Sequence, residues 1–425
     1  MPAWQRWLRL ALASAALLLA ALLLLVIETT PLVPASAPPG GAQVRAARAA
    51  FNSLRQTMMS SGGGDLLFSA DELDAVTLLA GRGLGLKHSR TTLAADHVEL
   101  ATSIALPAGL WLNLSAQAQP ATAGFPPLRL AAGDLVLTGR PARWAADAAR
   151  GLLRLRGVAL PPLDELVRGL TIQPGLLRVQ LAGGLAPTHL VQDVLALGGG
   201  RVEEARVAAL LCRLSAQQRQ QPASELAVHL GRVMAATANP AATAQQLAQE
   251  HRNALVALAL FTAGKSARRL VADQAMFDLC AAPPPEPVLA GRTDLAKHWA
   301  VSAALAAVGG VETSRLMGEW KELSDSMAGG SGFSFVDLAA DRAGLRLGRA
   351  AVNPARAAAV RAELAGITND GLLPPSVLAL AEGLPNDRFV ARYRDTDSQR
   401  FAAAVKAIDR ILAKGNTPGT ATAAP

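Results

Sequence analysis

Apolar and polar positions change period several times along this chain, and each change marks an element. From Leu10 to Ile27 there are 18 residues with no charge and one polar side chain, Ser14. At 1.5 Å per residue such a run spans about 27 Å, enough for a hydrocarbon core. Arg6 and Arg9 precede it, with Trp4 and Trp7 beside them. Basic residues ahead of the run hold the N-terminus in the cytoplasm and send the rest across. The expectation is an uncleaved signal anchor over residues 1–30. Cleavage at Ala35-Ser36-Ala37 is the alternative, disfavoured by Pro38 immediately after the cut. No cysteine follows the run, which excludes a lipid-modified N-terminus.

Residues 31–41, with Pro31, Pro34, Pro38 and Pro39, read as a short linker. Val44, Ala47, Phe51, Leu54 and Met58 then recur at helical spacing, and Ser69 with Glu72 forms a capping box opening the next helix. The period falls to two in Val98, Leu100, Thr102, Ile104 and Leu106, and again in Leu110, Leu112, Leu114, Ala116 and Ala118. Pro107-Ala108-Gly109 between them makes a hairpin with one greasy and one wet face. The greasy face is expected to pack on the unit's own helices, with acyl-chain binding as the alternative. Leu128–Leu130, Asp134–Thr138 and Leu176–Leu181 add strands; Trp144–Leu155 and Leu163–Leu170 read as helices. Residues 42–185 are therefore an α+β unit with an antiparallel sheet.

Beyond Pro187 the strand signal stops, and residues 186–282 read as helices rich in Ala, Leu, Gln and Arg. Pro283-Pro284-Pro285-Glu286-Pro287 cannot continue a helix, so residues 283–290 are expected to be a linker. A helical module is expected over residues 291–413, and a disordered tail over 414–425. The fold class is thus α+β: a transmembrane helix, a small antiparallel-sheet unit with helices, and a mainly helical C-terminal half.

Composition narrows the partners. Lys+Arg total 41 against 33 acids, a net charge of +8, but only six are lysines. An arginine skew with abundant Ala, Gly and Leu fits a GC-rich bacterial gene, and the arginines are scattered, their densest cluster being Arg150, Arg154 and Arg156. With aromatics at 4%, no nucleic-acid surface is expected. Cys212 and Cys280, with no CxxC spacing, exclude a zinc site of the usual kind and leave open whether they pair. There is no GxSxG, HExxH or P-loop.

The chemistry gathers after the prolines. Asp294 and His298 are four apart, Glu322 and Asp325 three apart, Asp337 and Asp341 four apart, so each pair shares a helix face. Ser334 is placed to cap the last helix, with Asp337 completing a capping box. Small residues from Ala300 to Gly309 let backbones approach and bring these faces together. Two readings of Asp294, His298, Lys321, Glu322, Asp325, Ser334, Asp337 and Asp341 follow. In one, Lys297, Lys321 and Arg342 pair with the acids and His298 donates to a carboxylate, giving a structural network. In the other, the N/O donors hold a divalent metal or do acid/base work.

The segment Asp294–Gly344 carries an Asp…His helix start, then Lys321-Glu322 with Asp325, then Gly330-x-Gly332-Phe333-Ser334-x-x-Asp337-Leu338-x-x-Asp341 running to a glycine. In this it resembles the YfiM-type bacterial envelope proteins, and more distantly the VanZ-like membrane family. The resemblance implies a small helical envelope module and brings no mechanism. Asp71-Glu72-Leu73 at a helix start, long amphipathic strands, Leu112-Asn113-Leu114 and Gly133-Asp134-Leu135 are weakly similar to membrane-anchored proteins of the YpmS type. The expected function is binding or scaffolding in the periplasm, with no catalytic residues or cofactor. The bacterial inner membrane is engaged through Leu10–Ile27, and an envelope protein or lipid is the partner. The alternative is a metal-assisted hydrolase or transferase acting on an envelope lipid or polymer.

Overall fold

The computed structural model describes residues 24–60, 63–155, 160–182, 200–237, 241–271, 280–415 and 417–419, with Trp4, Gln5, Trp7, Ser14 and Asn239. The expected membrane run lies outside the described residues as far as Leu23, Ser14 apart. Its last residue is not part of it: Ile27–Glu28 is a strand, β1, paired antiparallel through Ile27↔Leu112 and Glu28↔Trp111. No helix among the described residues is long and apolar enough to cross a membrane. The chain divides into two compact units, one built mainly from residues 45–154 and 160–185 with the N-terminal 39, the other mainly from residues 186–425.

The first unit is α+β with two antiparallel sheets. After α1 (Gly41–Met59) and β2 (Gly64–Ser69) comes α2 (Ala70–Gly83), which opens with the Ser69–Glu72 capping box. A six-stranded sheet follows, ordered β3 (Ser89–Leu93), β4 (Val98–Ala105), β5 (Trp111–Ala118), β6 (Leu128–Ala132), β7 (Leu135–Thr138), with β1 beside β5. The turn between β4 and β5 uses Ala108 and Gly109, both at positive φ. A helix, α3 (Gly139–Leu155), leaves β7. The second sheet is β2-β9-β8. Here the sequence misleads: α4 (Leu163–Leu166) is one turn, and β8 (Val167–Gln173) takes over what reads as helix. Val167, Thr171 and Ile172 are β-branched, and Gly175 turns the chain so that β8 pairs with β9 (Leu176–Leu181).

Two other expectations are corrected. The hairpin's greasy face is only partly covered: Leu100 is 49% exposed, and Val98, Ile104, Leu112 and Leu114 are half-buried. The buried side is that of Ala101, Ser103 and Asn113. Residues 31–41 explain this, because they are not a free linker. The Leu32 amide donates to Asn113 Oδ1 and the Val33 amide to Ser103 Oγ, both at 3.0 Å, and Val33 is buried. Polar strand positions that look wet are satisfied by a returning backbone.

The second unit is helical. Its sequence is α5 (Glu204–Gln220), α6 (Leu226–Ala235), α7 (Ala244–Ala263), α8 (Thr293–Asp325), α9 (Phe335–Ala351), α10 (Ala357–Glu363), α11 (Asn369–Leu372), α12 (Asn386–Tyr393) and α13 (Gln399–Lys414). Every residue of α7 from Asn253 to Thr262 is buried, so it is the core helix. Cys212 and Cys280 form a disulfide with a Cα–Cα distance of 4.8 Å. The proline run does not separate two bodies. Gln218 Nε2 donates to the Pro285 carbonyl, and the Leu226 amide donates to Val288 O, so that strip is stitched to the helices before it. Nor is the tail wholly free: Thr417 is buried and donates to Leu412 O. Phe333, Phe335, Phe389, Tyr393 and Phe401 make one aromatic cluster, with Phe333 stacked on Phe389 at 4.4 Å.

The element that positions the site is α8, which is two helices. Gly310 sits at φ 82°, ψ 174°, a backbone shape open to glycine alone, and folds residues 311–325 back along residues 293–309. Ser314 Oγ donates to the Ser302 carbonyl at 2.9 Å, which ties the two arms. α9 lies against the first arm with its glycines at the contact. A Cβ on Gly344 would fall 2.1 Å from Trp299 O, and one on Gly348 2.2 Å from Ala303 O. In an exposed helix Gly→Ala stabilises by up to about 1 kcal/mol. Here the sign reverses: Gly344→Ala is expected to cost roughly 1–3 kcal/mol through forced backbone separation. Urea unfolding of the full chain reads it, and a stability gain would show that the two backbones are not in contact.

Candidate functional site

Three helical segments supply the polar cluster, each by its spacing. The first arm of α8 carries Asp294, His298 and Ser302 at steps of four, the second arm carries Lys321, Glu322 and Asp325, and α9 carries Asp337 and Asp341. The hairpin at Gly310 and the glycine contact of α9 set His298 among the carboxylates. His298 Nδ1 lies 3.1 Å from Asp341 Oδ1 and Nε2 lies 3.3 Å from Asp337 Oδ2. Glu322 Oε1 is farther, 4.0 Å from Nε2. Ser302 Oγ donates to Asp341 Oδ1 at 2.7 Å. The His298 and Asp341 side chains are 9% exposed and that of Glu322 1%.

Ser334 caps α9 by accepting from the Asp337 amide at 3.0 Å, as its sequence position predicts. The reciprocal half of the box is absent. The Ser334 amide donates instead to Glu322 Oε2 at 3.0 Å, so Glu322 takes the cap position from the neighbouring helix and the Asp337 carboxylate is left to face His298. Lys321 Nζ closes the outer side, 3.1 Å from Glu322 Oε1 and 2.8 Å from Asp325 Oδ2. Acids in the last turn of a helix oppose its dipole, and Lys321 offsets that cost for Glu322 and Asp325.

Asp294 departs from expectation. It pairs with Arg292 at 2.5 Å and stays half-exposed, outside the His298 cluster. Arg292 also holds Glu382 at 2.6 Å and reaches to 3.6 Å from Asp337 Oδ1. Lys297 pairs with Glu286 and Arg342 with Asp409, so neither serves the acids to which the sequence assigned them. Sequence reasoning missed Ser302, Arg292 and Glu382. Ser302 could have been found as the next step of the Asp294–His298 stripe; Glu382 had no signal, being 90 residues from Arg292.

The electrostatics favour a charged histidine. Burial pulls the His298 imidazole down, but the charge of Asp341, its hydrogen bond, and Asp337 outweigh that and raise it from 6.5 to about 9. Burial pushes the Glu322 carboxyl up to about 7 against the pull of Lys321 and His298, and burial also raises Asp337. Lys321 loses to burial but is held above its ordinary value by Glu322 and Asp325. The Arg292 hydrogen bond holds Asp294 below the usual carboxylate range. Two buried oxygens, Asp337 Oδ1 and Asp341 Oδ2, have no hydrogen-bond partner. One ligand atom from each of His298, Glu322 and Asp341 lies within 4.8 Å of the others, as does one from each of Asp294, Asp337 and Glu382. The first set is the right chemistry for a divalent ion, but Asp341 and Asp337 face the two nitrogens of His298 and Lys321 faces Glu322.

Comparison with known proteins gives no match to any protein family, curated protein or solved structure.

A pH dependence follows. A histidine raised to about 9 binds a proton in the folded state that it loses when unfolded above pH 6.5. Its stabilisation is complete below pH 6.5 and is lost as pH rises through 9, roughly 3 kcal/mol across the window. Glu322, raised from 4.5 to about 7, acts in the same direction at lower pH. The melting temperature of the full chain should fall steadily from pH 6.5 to 9, and His298→Gln should flatten that fall. A melting temperature that is level or rising over this range would contradict the charged histidine.

Proposed function

We propose that this chain is a membrane-anchored protein of the bacterial envelope, held by one N-terminal helix within residues 10–26, with both compact units in the periplasm. Its role is binding or scaffolding, with an envelope protein or lipid as partner. Arg6 and Arg9 ahead of the apolar run support the orientation. The Cys212–Cys280 disulfide supports an oxidising compartment. The YfiM-type resemblance of Asp294–Gly344 agrees with an envelope module.

The observation that carries binding over catalysis is the position of His298. Both of its ring nitrogens meet carboxylates, at 3.1 and 3.3 Å, in a site that keeps it protonated. An imidazolium has no lone pair to give a metal or to take a substrate proton. The cluster is then a charged pin that fixes the helical unit and presents its surface to a partner. A second reading, the metal-assisted hydrolase or transferase, is favoured by the buried Asp341 Oδ2, which has no hydrogen-bond partner. In it, a divalent ion is held by His298, Glu322 and Asp341.

Two measurements test these readings. An alkaline phosphatase fused after Leu412 should be active and a cytoplasmic reporter at that point silent; the reverse pattern would overturn the topology. Metal analysis of the purified full chain and of His298→Ala should find no stoichiometric divalent ion in either. A bound ion lost on His298→Ala would establish the second reading in place of the first.

A further inference from the structure

In α3, steps of four and three divide the helix into two stripes. Trp144, Ala148, Leu152 and Leu155 form one; Arg140, Arg143, Asp147, Arg150 and Arg154 form the other. An amphipathic helix normally hides its apolar stripe. α3 does the opposite. Its one fully buried residue is Ala142, while Trp144 is 76%, Leu152 64% and Leu155 84% exposed. The polar stripe is basic but for Asp147, which Arg143 engages along with Asp164. Arg140 and Arg154 are exposed at its two ends.

We propose that α3 docks on an anionic bilayer surface, with Trp144, Ala148 and Leu152 entering the acyl boundary and Arg140 and Arg154 meeting lipid phosphates. Charge complementarity selects this occupant. Arg143 and Arg150 pair with Asp147 and Asp164, so a second copy of α3 would set the exposed Arg140 and Arg154 against like charges, whereas anionic headgroups neutralise them. A lone tryptophan among leucines suits the headgroup boundary. Continuity adds to it: β1 joins the sheet from which α3 leaves, and β1 begins at Ile27, the last residue of the apolar run. The inference rests in that respect on the membrane-anchor reading, which would hold the helix at high local concentration beside the bilayer.

The two native cysteines are joined to each other, so Ala148→Cys adds a single thiol for an environment-sensitive fluorophore. The labelled full chain is mixed with vesicles of neutral phosphatidylcholine, and with vesicles containing 

phosphatidylglycerol. With the anionic vesicles, a lipid-borne nitroxide should quench the probe, and quenching by aqueous iodide should drop at least about two-fold. Leu152→Glu and the double variant Arg140→Glu/Arg154→Glu should each restore iodide access, with melting temperatures unchanged. A chain that floats with vesicles while its probe stays open to iodide on anionic lipid overturns the docking and leaves the anchor intact. A probe that becomes shielded without lipid as protein concentration rises also overturns it, in favour of a second copy. A chain that does not float with neutral vesicles overturns the anchor alone, and lipid quenching on anionic vesicles then still supports the docking.

Discussion

The helical unit depends on one close approach, that of the backbone of α9 to the first arm of α8. Gly344 and Gly348 leave no room for a side chain against Trp299 and Ala303, and Ala300, Ala303, Ala304 and Ala307 are fully buried along the arm. Only at that separation can one histidine on the arm meet Asp337 and Asp341 on α9. The same economy of volume recurs at Gly318, where a Cβ would fall 2.8 Å from Asp341 Oδ2. Small residues do not by themselves hold helices together in water; they let charged groups meet inside a water-poor space, where attraction is strong and a missing partner is costly.

The charges then lock in sequence. Glu322 caps α9 from outside, which frees Asp337 for His298; Lys321 steadies Glu322; Ser302 steadies Asp341. Each member has a task set by geometry, and together they place two cationic side chains among four acids. This is the pattern of a network built to fix three helical segments.

What the sequence disclosed was set by how local each cause is. Capping by Ser69 and Ser334, the hairpin over Val98–Gln119 and the shared faces of Asp337 and Asp341 are decided within a few residues, and all were legible. The strand β8 was not, because its pairing with β9 decides it rather than its own period. Likewise Glu322 as a cap for Ser334 and Glu382 as a partner for Arg292 are tertiary events without a spacing rule. The wet-looking Ser103 and Asn113 were buried by a segment that reads as a linker, since proline-rich composition says that a stretch is not helix, not that it is free.

The central claim, that His298 is a cation bridging two carboxylates, is open to direct observation by a long-range proton–nitrogen correlation spectrum of its ring in the full chain at pH 7.5. Both ring nitrogens should show imidazolium shifts, persisting until the pH approaches 9. A neutral tautomer at pH 7.5, with one nitrogen carrying a free lone pair, would contradict the account and return His298 to the candidates for a metal ligand or a general base.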